Sequence, residues 1–178
     1  MNRIRKWAVL SVFGGGAILS PLGMGLIGNA PVHAATTALE CTGTGAATPT
    51  PAVGLTGGSG TYTFSGPAHC TGSGEDDGNI VAQAVTISSS GDYSNIVCGT
   101  GGVTNGVSTV TLGDDTWTVN YKITFAGGQG ALTGTASDSS DGDSGTLTVA
   151  GTASIVPTGG NCASGVTAFT VVYNIAAA

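Results

Sequence analysis

Hydrophobic and polar residues alternate with a period of two over much of this chain. The clearest stretch is 117–125, where Trp117, Val119, Tyr121, Ile123 and Phe125 fall on one face and Thr118, Asn120, Lys122 and Thr124 on the other. That is the pattern of a strand with one buried side. Phe169, Val171, Tyr173 and Ile175 repeat it near the C-terminus. Further strands are predicted over 39–44, 61–65, 80–88, 93–98, 107–112, 131–136 and 146–156. Turn signals separate them: Ser90-Gly91-Asp92, Asn105-Gly106, Gly113-Asp114-Asp115, Gly127-Gly128 and Asp141-Gly142. No sustained helical period competes. The pattern predicts an all-β fold, a single antiparallel sandwich or up-and-down barrel of about eight or nine strands.

The first 34 residues read differently. Arg3, Arg5 and Lys6 precede an apolar stretch from Trp7 to Ile27, and Val32-His33-Ala34 offers the small residues a signal peptidase needs. Residues 1–34 are therefore read as a signal peptide and 35–178 as one all-β domain, secreted and extracellular. Breaks at Gly14-Gly15-Gly16 and Pro21 favour cleavage over a retained anchor, so no membrane span is expected once the signal is removed.

Composition sharpens this picture mainly by exclusion. From residue 35 onward there are 26 Thr and 26 Gly, one lysine (Lys122), no arginine and ten carboxylates, a formal charge of −9. Nucleic acid is excluded as a partner, because binding phosphates requires displacing counterions with Lys and Arg. Phosphate-ester chemistry lacks its cationic clamps. With only His69 in this region, a zinc site built on several histidines is excluded too.

Cys41, Cys70, Cys98 and Cys162 have no C-x-x-C spacing and, in an exported chain, are read as two disulfides. Three connectivities are possible; pairing sequence neighbours gives Cys41–Cys70 and Cys98–Cys162. If each predicted strand runs antiparallel to the one before, a parity count places all four cysteines at one pole.

Leu39-Glu40-Cys41-Thr42-Gly43, Cys70, Cys98 and Pro157-Thr158-Gly159-Gly160-Asn161-Cys162 resemble the small exported four-cysteine, Thr/Gly-rich β-proteins of high-GC Gram-positive bacteria. That resemblance implies a fold and an address, and no mechanism. A local resemblance is to chymotrypsin-type serine proteases. Pro67-Ala68-His69-Cys70-Thr71 is similar to the context of their histidine, and Gly142-Asp143-Ser144-Gly145 to that of their nucleophile. Carried over, Ser144 attacks a carbonyl, His69 accepts its proton and Asp92 orients the imidazole. Backbone N–H groups of Gly142 and Ser144 would form the oxyanion hole. Thr146 stands where those proteases carry a further glycine. The parity count also sets His69 and the loop before Thr146 at opposite poles, so the triad is not expected to assemble.

Two further sets are weighed. Asp138, Asp141 and Asp143, and likewise Glu75, Asp76 and Asp77, gather carboxylates that could offer calcium a weak site; Asp-Gly hairpin turns are the ordinary account of them. Thr-x-Thr pairs beginning at Thr42, Thr61, Thr109, Thr116, Thr133 and Thr146 put hydroxyls on one side of their strands. A flat array of them would suit ice or a crystalline glycan, whereas β-propensity alone scatters them. Trp117 is assigned to the core, and Tyr62 and Tyr93 are candidates for an exposed contact surface. The primary functional expectation is a non-catalytic binding or surface-interaction module for an extracellular ligand or cell-surface partner, without a cofactor. The alternative is a minimal serine hydrolase using His69, Asp92 and Ser144. An envelope component would need self-association, which the −9 charge opposes.

Overall fold

The computed structural model describes residues 39–73, 80–98, 101–112, 115–138 and 146–178. The segment read as a signal peptide lies outside them. The described chain forms eight strands and no helix: β1 (Leu39–Thr50), β2 (Gly58–Ser73), β3 (Ile80–Val97), β4 (Gly101–Leu112), β5 (Asp115–Ala126), β6 (Gln129–Asp138), β7 (Thr146–Asn161) and β8 (Gly165–Ala177). Each pairs antiparallel with the next, and β1 pairs with β8 from Leu39↔Ala177 to Ala47↔Phe169. The result is a closed up-and-down barrel. Of the two expected architectures, the barrel is the one formed.

Alternation becomes inside and outside. On β5 the side chains of Val119, Ile123 and Phe125 are buried while Asn120, Lys122 and Thr124 are exposed. Gly127 and Gly128, with φ of 60° and 79°, make the tight β5–β6 turn, a two-residue hairpin that requires both residues in the left-handed region. The disulfides are Cys41–Cys70 and Cys98–Cys162, the pairing of sequence neighbours, and they suit an oxidising environment.

Two turns expected from the sequence are not turns. Ser90-Gly91-Asp92 lies inside β3, which runs unbroken through the two segments predicted at 80–88 and 93–98, and Asn105-Gly106 lies inside β4. Gly91 and Gly106 face each other across the β3–β4 ladder. A Cβ on Gly91 would stand 2.0 Å from the Asn105 carbonyl oxygen, and one on Gly106 would stand 2.3 Å from the Tyr62 hydroxyl and 2.8 Å from that of Tyr121. Glycine is there because the curved wall and the tyrosines leave no room, a strand use of glycine that sequence reading mistakes for a bend.

Reading β3 as two strands inverts the direction of everything after it. The cysteines accordingly do not share a pole. Cys41 opens β1 and Cys70 closes β2 at one end, whereas Cys98 follows β3 and Cys162 lies between β7 and β8 at the other. The Cys41 end is filled: Leu39, Cys41, Ala68, Cys70, Leu112, Ala136, Val149 and Ala177 are all buried in one cluster.

Because Gly106 makes room for two hydroxyls, Gly106→Ala should lower stability by about 1–3 kcal/mol through overpacking. Gly54→Ala, where nothing lies within 4 Å of the new Cβ, should stay within about 0.5 kcal/mol of wild type. Urea denaturation measures both; equal midpoints for the two variants would contradict this packing.

Candidate ligand cavity

The other half of the barrel is not filled. Between the packed Cys41 end and the Cys98 end lies a cavity of about 110 Å³. All four tyrosines of the chain (Tyr62, Tyr93, Tyr121 and Tyr173) line it, as do Phe64, Phe125 and Phe169, every phenylalanine among the described residues. Aliphatic side chains such as Ile87, Val119, Ile123 and Leu132 complete the wall, and no charged side chain takes part. The aromatic residues are set by alternation on β2, β3, β5 and β8. Phe64 and Tyr173 meet edge to face, with ring centroids 5.7 Å apart, a favoured quadrupolar arrangement.

The polar atoms inside are few and mostly paired. The Tyr62 and Tyr121 hydroxyls hydrogen-bond at 2.6 Å, and Ser89 and Ser108, directly opposite on β3 and β4, bond through their Oγ atoms. Tyr93 donates to the Pro51 carbonyl at 2.6 Å. Tyr173 Oη is buried with no partner among the protein's own groups. Thr104 Oγ1 also makes no bond of normal geometry, although it lies close enough to Tyr62 to ease that phenol's ionisation slightly. Burial dominates the acid–base behaviour of Tyr62, Tyr93 and Tyr173. It pushes Tyr62 far above the usual tyrosine range, with the neighbouring Tyr121 adding to the rise. It pushes Tyr173 up to about 12 and also raises Tyr93.

At the Cys98 end the cavity is covered by the β1–β2 connection, residues 51–57. Val53 is its one buried side chain, 1% exposed, and it lines the cavity. Its backbone exchanges two hydrogen bonds with Val166 at the start of β8, and the Cys98 N–H donates to the Gly54 carbonyl.

Of the residues singled out from the sequence, Tyr62 and Tyr93 line this cavity, whereas His69 and Asp92 do not. Tyr62 and Tyr93, expected at an outer contact surface, point inward instead: Tyr93 is 4% exposed. Their hydroxyls find partners distant in the chain, Tyr121 on β5 and Pro51 in the β1–β2 connection, which the local sequence could not show. His69 and Asp92 both face outward on neighbouring strands, but His69 pairs with Ala84 and Asp92 with Thr61. Eight residues of β2 separate the two positions, roughly 26 Å at about 3.3 Å per residue, so the register does not bring this pair together. Ser144 lies outside the described residues. The β6–β7 connection that carries it leaves from the same pole as His69, not the opposite one as the parity count had it. Asp141 and Asp143 lie outside the described residues, and Asp138 ends β6. Among the described residues no three His, Cys, Asp or Glu side chains are grouped to hold a metal. The Thr-x-Thr pairs project outward from β1, β2, β4, β6 and β7, spread round a closed, curved wall rather than over one flat face. Trp117 is half-buried against the core as expected.

No family model matches the chain, and neither a curated protein nor a solved structure matches it.

Two outcomes follow from the cavity's polar groups. Ser89→Ala alone strands the Ser108 hydroxyl and should cost about 1–3 kcal/mol, whereas Ser89→Ala with Ser108→Ala should be close to neutral. Denaturant melts of the three variants check this, and additive losses would contradict it. Unfolded tyrosine ionises near 10, so on raising the pH the unfolded chain loses protons before the native one does. Stability contributed by Tyr62, Tyr93 and Tyr173 is therefore complete below about pH 10 and falls above it. Phenolate absorbance of the folded protein at pH 11 should stay well below that of the unfolded chain; equal absorbance would place these phenols in water.

Proposed function

We propose that this protein is a non-catalytic binding module that encloses a small, neutral, largely apolar ligand in the Cys98 half of its barrel. The observation that carries the reading is the gathering of every tyrosine and every described phenylalanine around one incompletely filled space. Eight strands give an interior that side chains can just fill or that can hold one small ligand. Here the Cys41 half is filled and the other half is not. An apolar cavity of about 150 Å³ binds benzene or xenon; at 110 Å³ this one is smaller, which limits the ligand to at most a single small ring or a short branched chain. With no charged group in the lining, burial of an ionic ligand would go uncompensated.

The setting agrees with this reading. Thr, Ser and Asn dominate the outward positions, whereas a membrane-spanning barrel carries an apolar outer band; the outer face supports a barrel working in water. The basic N-terminus, the Val32-His33-Ala34 site and the two disulfides support secretion.

Titration with benzene, toluene and phenol, followed by amide NMR and thermal melting, tests the function. Chemical-shift changes should be confined to residues around the cavity, with stabilisation of about 2.7 kcal/mol when free ligand reaches a hundred times Kd. Ala153 is buried in the cavity wall. Ala153→Leu fills the space and should abolish the response while leaving the protein as stable as wild type or more so. A folded protein that responds to none of these ligands, or an Ala153→Leu variant that responds as wild type does, would overturn the reading.

A further inference from the structure

The cavity has walls of very unequal strength. Its sides are strands joined by long antiparallel ladders, interrupted only near the Cys98 end between Gly58 and Gly60, Ser94 and Val97, and Pro157 and Gly160, and its floor is the packed cluster around the Cys41–Cys70 disulfide. Its roof is a connection in which only Val53 is buried, while Ala52, Leu55, Thr56 and Gly57 are exposed, Leu55 at 64%. Hydrogen bonds that hold this roof include the Val53 pair with Val166 at 2.9 and 2.7 Å, Cys98 to Gly54 at 3.2 Å, and Tyr93 to Pro51 at 2.6 Å. Local opening concentrates where buried apolar contacts and backbone bonds are fewest. That place is the 51–57 connection.

The anchors of the roof are themselves tied together. Val53 bonds to β8 four residues beyond Cys162, and Gly54 bonds to Cys98 itself. The Cys98–Cys162 disulfide joins those two anchor points, with β1 and β2 lying between them round the barrel. It therefore fixes the frame across which the connection is stretched.

We infer that ligand passes in and out at the Cys98 end by displacement of the 51–57 connection, and that Val53 is the stopper that sets both the length of ligand accepted and the rate of access. The inference rests on the binding reading above. Val53 is placed for both roles because its side chain at once roofs the cavity and is the one side chain of the connection that is buried. Shortening it lengthens the cavity toward the mouth and weakens the closure together.

The test uses the alkylbenzene series from benzene to n-butylbenzene, with affinity from calorimetry and access rate from NMR exchange on the whole protein. Val53→Ala should extend the longest ligand accepted by roughly one or two carbons and speed access by about tenfold, the worth of two buried carbons. Val53→Ile, which keeps the contact, should shorten that limit and slow access. Replacing Cys98 and Cys162 together by Ser should speed access without changing the limit; the same replacement of Cys41 and Cys70 should not change the rate. Leu132→Ala, in the side wall, should raise the size limit and leave the rate alone. Ligands that bind with a rate and limit indifferent to Val53, or access that responds to the Cys41–Cys70 pair instead, would overturn the stopper while leaving the cavity reading intact. Absence of binding in every variant would remove both.

Discussion

Pairing of β1 with β8 is the interaction on which the rest of this structure depends. It converts a meander of hairpins, each of which needs only a short local turn, into a ring with no free edge. The nine residues from Leu39 to Ala47 find their partners at the far end of the chain, Phe169 to Ala177. Until that long loop closes there is no inside. Once it closes, the inward positions of eight strands must share one volume, and their sizes become mutually constraining.

That constraint is met differently in the two halves. Around Cys41–Cys70 the inward side chains are Leu, Ala, Val and Cys, small enough to interdigitate completely. Toward Cys98–Cys162 seven aromatic residues stand against the wall, six of them against strand glycines, and they leave a space. Rings that lean on glycines in neighbouring strands are held by the wall, so they do not collapse into the centre. Burial of their hydroxyls follows from the same arrangement, and so do the Tyr62–Tyr121 and Ser89–Ser108 pairs, each satisfying itself inside an apolar surround. The cavity is thus a consequence of where glycine and aromatic residues fall round the ring.

Much of this was legible in the chain. The inward faces of β5 and β8 are written in alternation that no other structure would explain, the Gly127-Gly128 turn is in its expected place, and pairing cysteine neighbours is correct. What escaped was anything that depends on a partner strand. Gly91 and Gly106 carry the composition of turns, and only the register shows that they face each other and two tyrosine hydroxyls. That one misreading reversed the parity of all later strands and put four cysteines at one pole. Val53 sits in a Pro/Gly/Thr-rich stretch with no periodicity to mark it as buried. Short motif matches in a chain rich in Gly, Ser and Asp carry no register of their own, and the register sets His69 and Asp92 far apart.

Diffraction from crystals of the protein held under xenon pressure tests most directly whether the Cys98 half of the barrel is a dry, ready-made cavity. Xenon enters apolar cavities of this size without needing a hydrogen bond. An ordered xenon site enclosed by Phe64, Ile123, Phe169 and Tyr173, with the Cys41 half unoccupied, is the predicted result. A barrel whose aromatic side chains meet at the centre and admit no xenon would contradict it.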